Sequence, residues 1–219
     1  MSQNPWGDNY HNENYSSAEM DQLLEKIFGP KCIFMGFMPA GKRKWVRIRA
    51  DGAMEIIRLY SDRGFIFGAG FGLSFPWIPH GDWKSVRWHK TPKTSQIDLN
   101  YKIPEGEDWS ISKRRTLADE RAKFVSTQVC ETSTVWFDGM KDDKNILSDL
   151  EKRKANPFFL MLVQDVTVYE FWQARIGRWL GLEPKVEQQL KSYFGDEGVI
   201  EIKQLLQDEN SKALSKQRV

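Results

Sequence analysis

The period of the hydrophobic residues changes twice along this chain, and that switching constrains its fold more than any other feature. Met20, Leu23, Leu24, Ile27 and Phe28 recur at helical spacing and would form one apolar stripe. From Lys42 to Lys113 short extended runs are joined by turn signals, and from Thr116 the helical period returns. One helix, a block of strands and a block of helices, segregated rather than alternating, is the order of an α+β fold.

The details follow from local signals. Ser16 and Glu19 have capping-box spacing, and Gly29-Pro30 should stop the first helix. Lys42–Ala50, Ala53–Tyr60 and Phe65–Phe75 read as strands joined at Asp51-Gly52 and Ser61–Gly64. Trp83–Lys90, Ser95–Ile103 and Asp108–Lys113 extend the series, an antiparallel meander of about five to six strands. Leu117, Ala118, Ala122, Phe124, Val125 and Val129 suit a helix, and Ile146, Leu147 and Leu150 a short one. Phe158–Leu180 is apolar almost all round and reads as a buried helix, with β-branched residues leaving a strand open for its first half. Two further helices are expected at Pro184–Phe194 and Val199–Gln207. The helical C-terminal half should pack on one face of the sheet. Residues 1–16, which include Trp6, Tyr10 and Tyr15, read as a flexible tail, 17–210 as a single α+β domain, and 211–219 as a frayed end.

Composition narrows the partners. The net charge of the 219 residues is only +2, so electrostatics do not call for nucleic acid or an anionic membrane. The longest apolar run, Phe158 to Val163, is six residues against the roughly 20 that span a bilayer. Met1 to Met20 carries Asp8, Glu13 and Glu19 and no apolar run, unlike a signal peptide. Cys32 and Cys130 have no metal spacing, and reduced, buried thiols suit a cytoplasmic address. No membrane association, cofactor or metal is expected.

Around the start of the sheet, Phe28-Gly29-Pro30 is followed by Gly36-Phe37, Gly41-Lys42-Arg43-Lys44-Trp45 and Arg47. Ile56, Ile57 and Leu59 then lead to Gly72-Leu73. Over about residues 20–80 this resembles a family of small bacterial proteins known only as a domain of unknown function. Its members open with a helix, a Gly-Phe pair and a basic G-x-x-W/F-x-R strand of an antiparallel sheet. The resemblance implies that fold and a bacterial source, and it carries no activity.

Several patterns could carry chemistry. Trp45, Arg47 and Arg49 alternate on a predicted strand and would share a face. A ring beside guanidinium groups can hold single-stranded nucleic acid, although charges that protect a sheet edge would look the same. The loop from Trp77 to Trp83, with His80 and Asp82, could form a binding surface. His80 and Asp82 could also act as a base and its orienter, or as two metal ligands, in a hydrolase or nuclease, but the usual metal and nucleophile motifs are absent. Glu201-Ile202-Lys203 has a nuclease-like form, but Val199, Ile202 and Leu206 suit a helix stripe. Gly64, Gly68, Gly70 and Gly72 lack the Lys-Ser or Lys-Thr of a phosphate loop and suit a strand that bulky rings approach closely. Cys130 reads as a buried structural thiol. No catalytic residue is assigned. The sequence therefore favours a non-catalytic protein-binding module, of the kind that serves as a bacterial immunity (toxin-neutralising) or accessory protein. Its partner would be a protein, with single-stranded nucleic acid as the alternative.

Overall fold

Ser16 opens the first helix as its spacing to Glu19 requires. The computed structural model describes residues 13–62, 66–81, 85–155 and 163–217. In it the Ser16 hydroxyl accepts from Glu19 N–H at 3.2 Å, and the Glu19 carboxylate accepts from Ser16 N–H at 2.7 Å. This reciprocal box starts α1, Ser17–Phe34, which buries Met20, Leu24, Phe28 and Cys32. The helix does not stop at Gly29-Pro30. Pro30 lies inside it and removes one backbone donor, yet another turn follows. Gly36, at φ 83, is the true terminator. Its N–H donates to Ile33 O and Phe37 N–H donates to Cys32 O, both at 2.9 Å, which is the Schellman closure.

The sheet contains β1 (Met38–Gly41), β2 (Lys44–Ile48), β3 (Met54–Asp62), β4 (Ile66–Ser74), β7 (Leu99–Asn100) and β8 (Ser110–Ser112). The strand order is β1-β2-β3-β4-β7, with β8 also antiparallel to β4. The β2–β3 hairpin turns at Asp51-Gly52, where Arg49 N–H donates to Ala53 O at 2.8 Å and Gly52 takes φ 85. Its register sets Trp45 opposite Ile57 and Arg47 opposite Glu55. The sequence pattern misses β1 because Pro39 and Gly41 interrupt it. The expected Ser95–Ile103 strand shrinks to β7. The donor that would extend it, Phe75 N–H, instead goes to the Asp98 carboxylate at 2.6 Å. The expected Trp83–Lys90 strand contributes β6 (Val86–Arg87), which pairs with β5 (His80–Gly81) as a separate ribbon.

The helical half follows: α2 (Arg115–Gly139), α3 (Asp143–Lys154), α4 (Val163–Arg175) and α5 (Pro184–Gln217). The α+β fold, with an N-terminal helix, an antiparallel sheet and a helical C-terminal half, is the one the periodicity predicts. Within α5, Gly195 takes φ 76 and ψ 173 and separates two helical runs. The second run continues to Gln217, across residues whose composition reads as frayed; a Glu209–Lys212 pair at 3.8 Å accompanies it. Val199, Ile202 and Leu206 are buried, the helix stripe read at the Glu201-Ile202-Lys203 segment. Residues 1–12 of the expected tail, with Trp6 and Tyr10, and Phe158–Leu162 lie outside the described residues. Tyr15 is held by its N–H to Lys113 O at 2.9 Å and by the Arg115 guanidinium 4.4 Å over its ring.

The residues gather into two compact units. One holds residues up to Leu73 together with Asn100–Asp138, and the other holds Ser74–Leu99 and Gly139 onward. In the first, Phe71 is the hub of an aromatic core, with ring centres 4.7 Å from Tyr101, 5.5 Å from Phe137, 5.6 Å from Trp136 and 5.9 Å from Trp109. The Tyr60 ring lies against Gly68 where a Cβ would otherwise project. In the second, Phe75 meets Trp172 edge-on at 5.4 Å, and Val166, Phe171, Leu190, Phe194, Val199 and Ile202 are buried. Among the described residues no helix is long and apolar enough to cross a membrane.

Candidate functional site

The basic-aromatic strand turns inward. Trp45 is fully buried and stacks on Phe28 with ring centres 6.3 Å apart. Arg47 is committed three ways. Its Nε donates to Glu55 Oε2 at 2.5 Å, its Nη1 donates to Met35 O at 2.7 Å, and its guanidinium lies 4.7 Å over Phe37. Arg49 pairs with Asp51 at 2.8 Å. Alternation does put Trp45 and Arg47 on one face, but that face is the one the helix covers. A base stacking on this strand would find no open face of Trp45.

The other candidates fall in the second unit. Trp77 lies 5.4 Å from Phe75, with the Arg175 guanidinium 4.5 Å over its ring. His80 is buried, and Asp82 and Trp83 lie outside the described residues. The carboxylate beside His80 is Asp98, which has no pattern in the sequence to announce it. His80 Nε2 is 2.6 Å from Asp98 Oδ1 but off the hydrogen-bonding line, so that nitrogen keeps no aligned partner. Asp98 also accepts from Gln164 Nε2 at 2.8 Å and, as above, from Phe75 N–H. The His89 ring stands edge-on to His80 at 4.5 Å, and its Nδ1 lies 2.6 Å from Thr94 O. A carbonyl only accepts, so Nδ1 carries the proton. Burial holds the His89 pKa below the usual imidazole value, and the neighbouring His80 adds to that.

His80 and Asp98 are both more than nine-tenths buried. Asp98 ties Phe75, just after β4, to Gln164 of α4 through one carboxylate, with His80 of β5 beside it, as a structural clamp does. Among the described residues, no group of three or more His, Cys, Asp and Glu is placed to hold a metal ion.

An open apolar surface lies between the end of α1 and the later part of α2. A groove of about 710 Å³ there is walled by Pro30, Phe34, Met35, Cys130 and Val135. Phe34 is 94% exposed and Val135 76%. The cause is the extra turn of α1 beyond Pro30. The buried stripe runs through Met20, Leu24, Phe28 and Cys32, so Ile33 and Phe34 come out beside it. Lys31 and Glu131 complete the rim. The sequence pattern missed this site by ending the helix at Pro30.

The two cysteines are free thiols on these same helices. Burial pushes the Cys130 pKa up, opposed by the Lys31 ammonium, while burial and the neighbouring Cys130 push Cys32 far up. Neither is prepared as a thiolate nucleophile.

No protein-family model matches this chain, and neither a curated protein nor a solved structure is found to be similar to it.

Proposed function

We propose that this chain is a non-catalytic protein-binding module and that the groove between α1 and α2 is its binding surface. The observation that carries the reading is Phe34, almost wholly in water at the mouth of an apolar groove. Covering such a side chain is worth about 1.5–3 kcal/mol, and an aromatic anchor entering or covering a pocket is the usual centre of a protein interface. The burial of His80 and Asp98 supports a structural role for that pair. The free thiols Cys32 and Cys130 support the cytoplasm as the place where the module works. By analogy with small bacterial proteins of this kind, the role is accessory or toxin-neutralising.

The test is site-specific cross-linking in the native cell. A photo-reactive amino acid replacing Val135 should give a covalent adduct with one defined polypeptide. The same replacement at Leu180, fully exposed in the second unit, should not. The purified polypeptide should then bind the wild type and fail to bind Phe34→Glu. Equal labelling from both positions would refute the reading.

A further inference from the structure

The groove is complementary to itself in two independent ways. The first is shape. Phe34 projects at the rim, 94% exposed, beside a hollow walled by Pro30, Met35, Cys130 and Val135. Knob and hole sit on one surface. The second is charge. The Lys31 ammonium donates to Ser126 Oγ at 2.9 Å and Thr127 Oγ1 at 2.8 Å, both neutral oxygens. Among the described residues, no carboxylate pairs with Lys31 and no cation pairs with Glu131 across the groove. One rim therefore carries a positive and a negative group, each without a counter-ion.

A two-fold axis brings such a patch against itself so that each residue meets its complement on the other copy. Phe34 of each protomer would enter the groove of its partner, and Lys31 of each would face Glu131 across the axis. Ile33, 58% exposed, adds apolar surface next to Phe34 in sequence. An unrelated partner would need its own knob and an opposed pair of charges. A second copy already has both.

We propose that the occupant of the groove is a second copy of this chain, in an isologous dimer centred on Phe34 and the Lys31–Glu131 pairs. The proposal rests on the reading of the groove as a protein-binding surface.

Sedimentation velocity over a concentration series tests it. The wild type should dimerise, and Val135→Glu, at an exposed position that leaves the fold intact, should raise the dimer Kd at least ~100-fold. Lys31→Glu and Glu131→Lys should each weaken self-association by roughly 10-fold or more, through like charges facing each other. An equimolar mixture of those two variants should recover a heterodimer, because each acidic rim then meets a basic one. Circular dichroism on each variant confirms that it is folded. A wild type that stays monomeric throughout overturns the dimer. So does a dimer indifferent to Val135→Glu and to the charge reversals. A monomer that still gives the Val135-specific adduct with another polypeptide loses only this proposal. A monomer without such an adduct loses the groove reading as well.

Discussion

Asp98→Ala should cost this protein a large part of its stability. The Asp98 carboxylate is 3% exposed and accepts from Phe75 N–H at 2.6 Å and Gln164 Nε2 at 2.8 Å, with His80 Nε2 at 2.6 Å. Removing it strands the Phe75 N–H and the Gln164 amide in a dry interior and takes away the carboxylate beside the His80 imidazole. Hydrogen bonds to a charged group contribute about 1.5–3 kcal/mol each. These do not add, because the two donors share one carboxylate. The expected loss is therefore about 2–5 kcal/mol, against a usual total of about 5–15 kcal/mol. Asp98→Asn keeps one acceptor oxygen and should lose roughly 1–3 kcal/mol. Urea titration at neutral pH, followed by tryptophan emission, reads both, because Trp172 packs on Phe75 beside the clamp. If Asp98→Ala falls within about 1 kcal/mol of the wild type, as an ordinary surface substitution would, the clamp argument fails.

Other substitutions probe other parts of the account. Gly68→Ala puts a methyl group into the Tyr60 ring; it should lower stability by about 1–3 kcal/mol in a thermal melt, with part recovered in the Gly68→Ala/Tyr60→Ala double variant. Glu170 accepts from Trp179 Nε1 at 3.0 Å, and burial holds its pKa above the ordinary carboxylate value. The folded state therefore keeps its proton to higher pH than the unfolded state, and this group's contribution is lost as pH rises through the folded pKa. Glu170→Gln should stabilise the protein at neutral pH, and the gain should vanish as pH falls to the ordinary carboxylate range; a gain independent of pH would contradict the assignment. For His89 the sign is opposite. Its lowered pKa means the unfolded state takes up the proton first, so stability should fall on acidification below the usual imidazole pKa, and His89→Gln should flatten that part of the profile.

Periodicity revealed the class of the fold and the cap at Ser16, because both are written in local spacing. It could not reveal what depends on distant partners. Trp45 alternates with Arg47 and Arg49 as a surface ladder would, but the strand's neighbours decide which face is covered. Phe28 from α1 takes the ring and Glu55 from β3 takes Arg47. His80 was visible as a lone titratable residue in a loop. Its carboxylate was not, because Asp98 reaches His80, and Gln164 reaches Asp98, only through the tertiary fold. The groove escaped because a strong local signal was overridden. Gly29-Pro30 is a strong stop signal, and the packing of Cys32 in the core carries α1 past it. Each of these misses comes from tertiary context overriding a local preference.

The most direct test of the groove is the Kd of its occupant, second copy or cross-linked polypeptide, for the wild type and for Phe34→Glu. Loss of a central aromatic anchor, with a charge placed in its pocket, should weaken binding at least ~100-fold, or about 2.7 kcal/mol. An occupant that binds both proteins with the same Kd would show that the groove is not the binding surface.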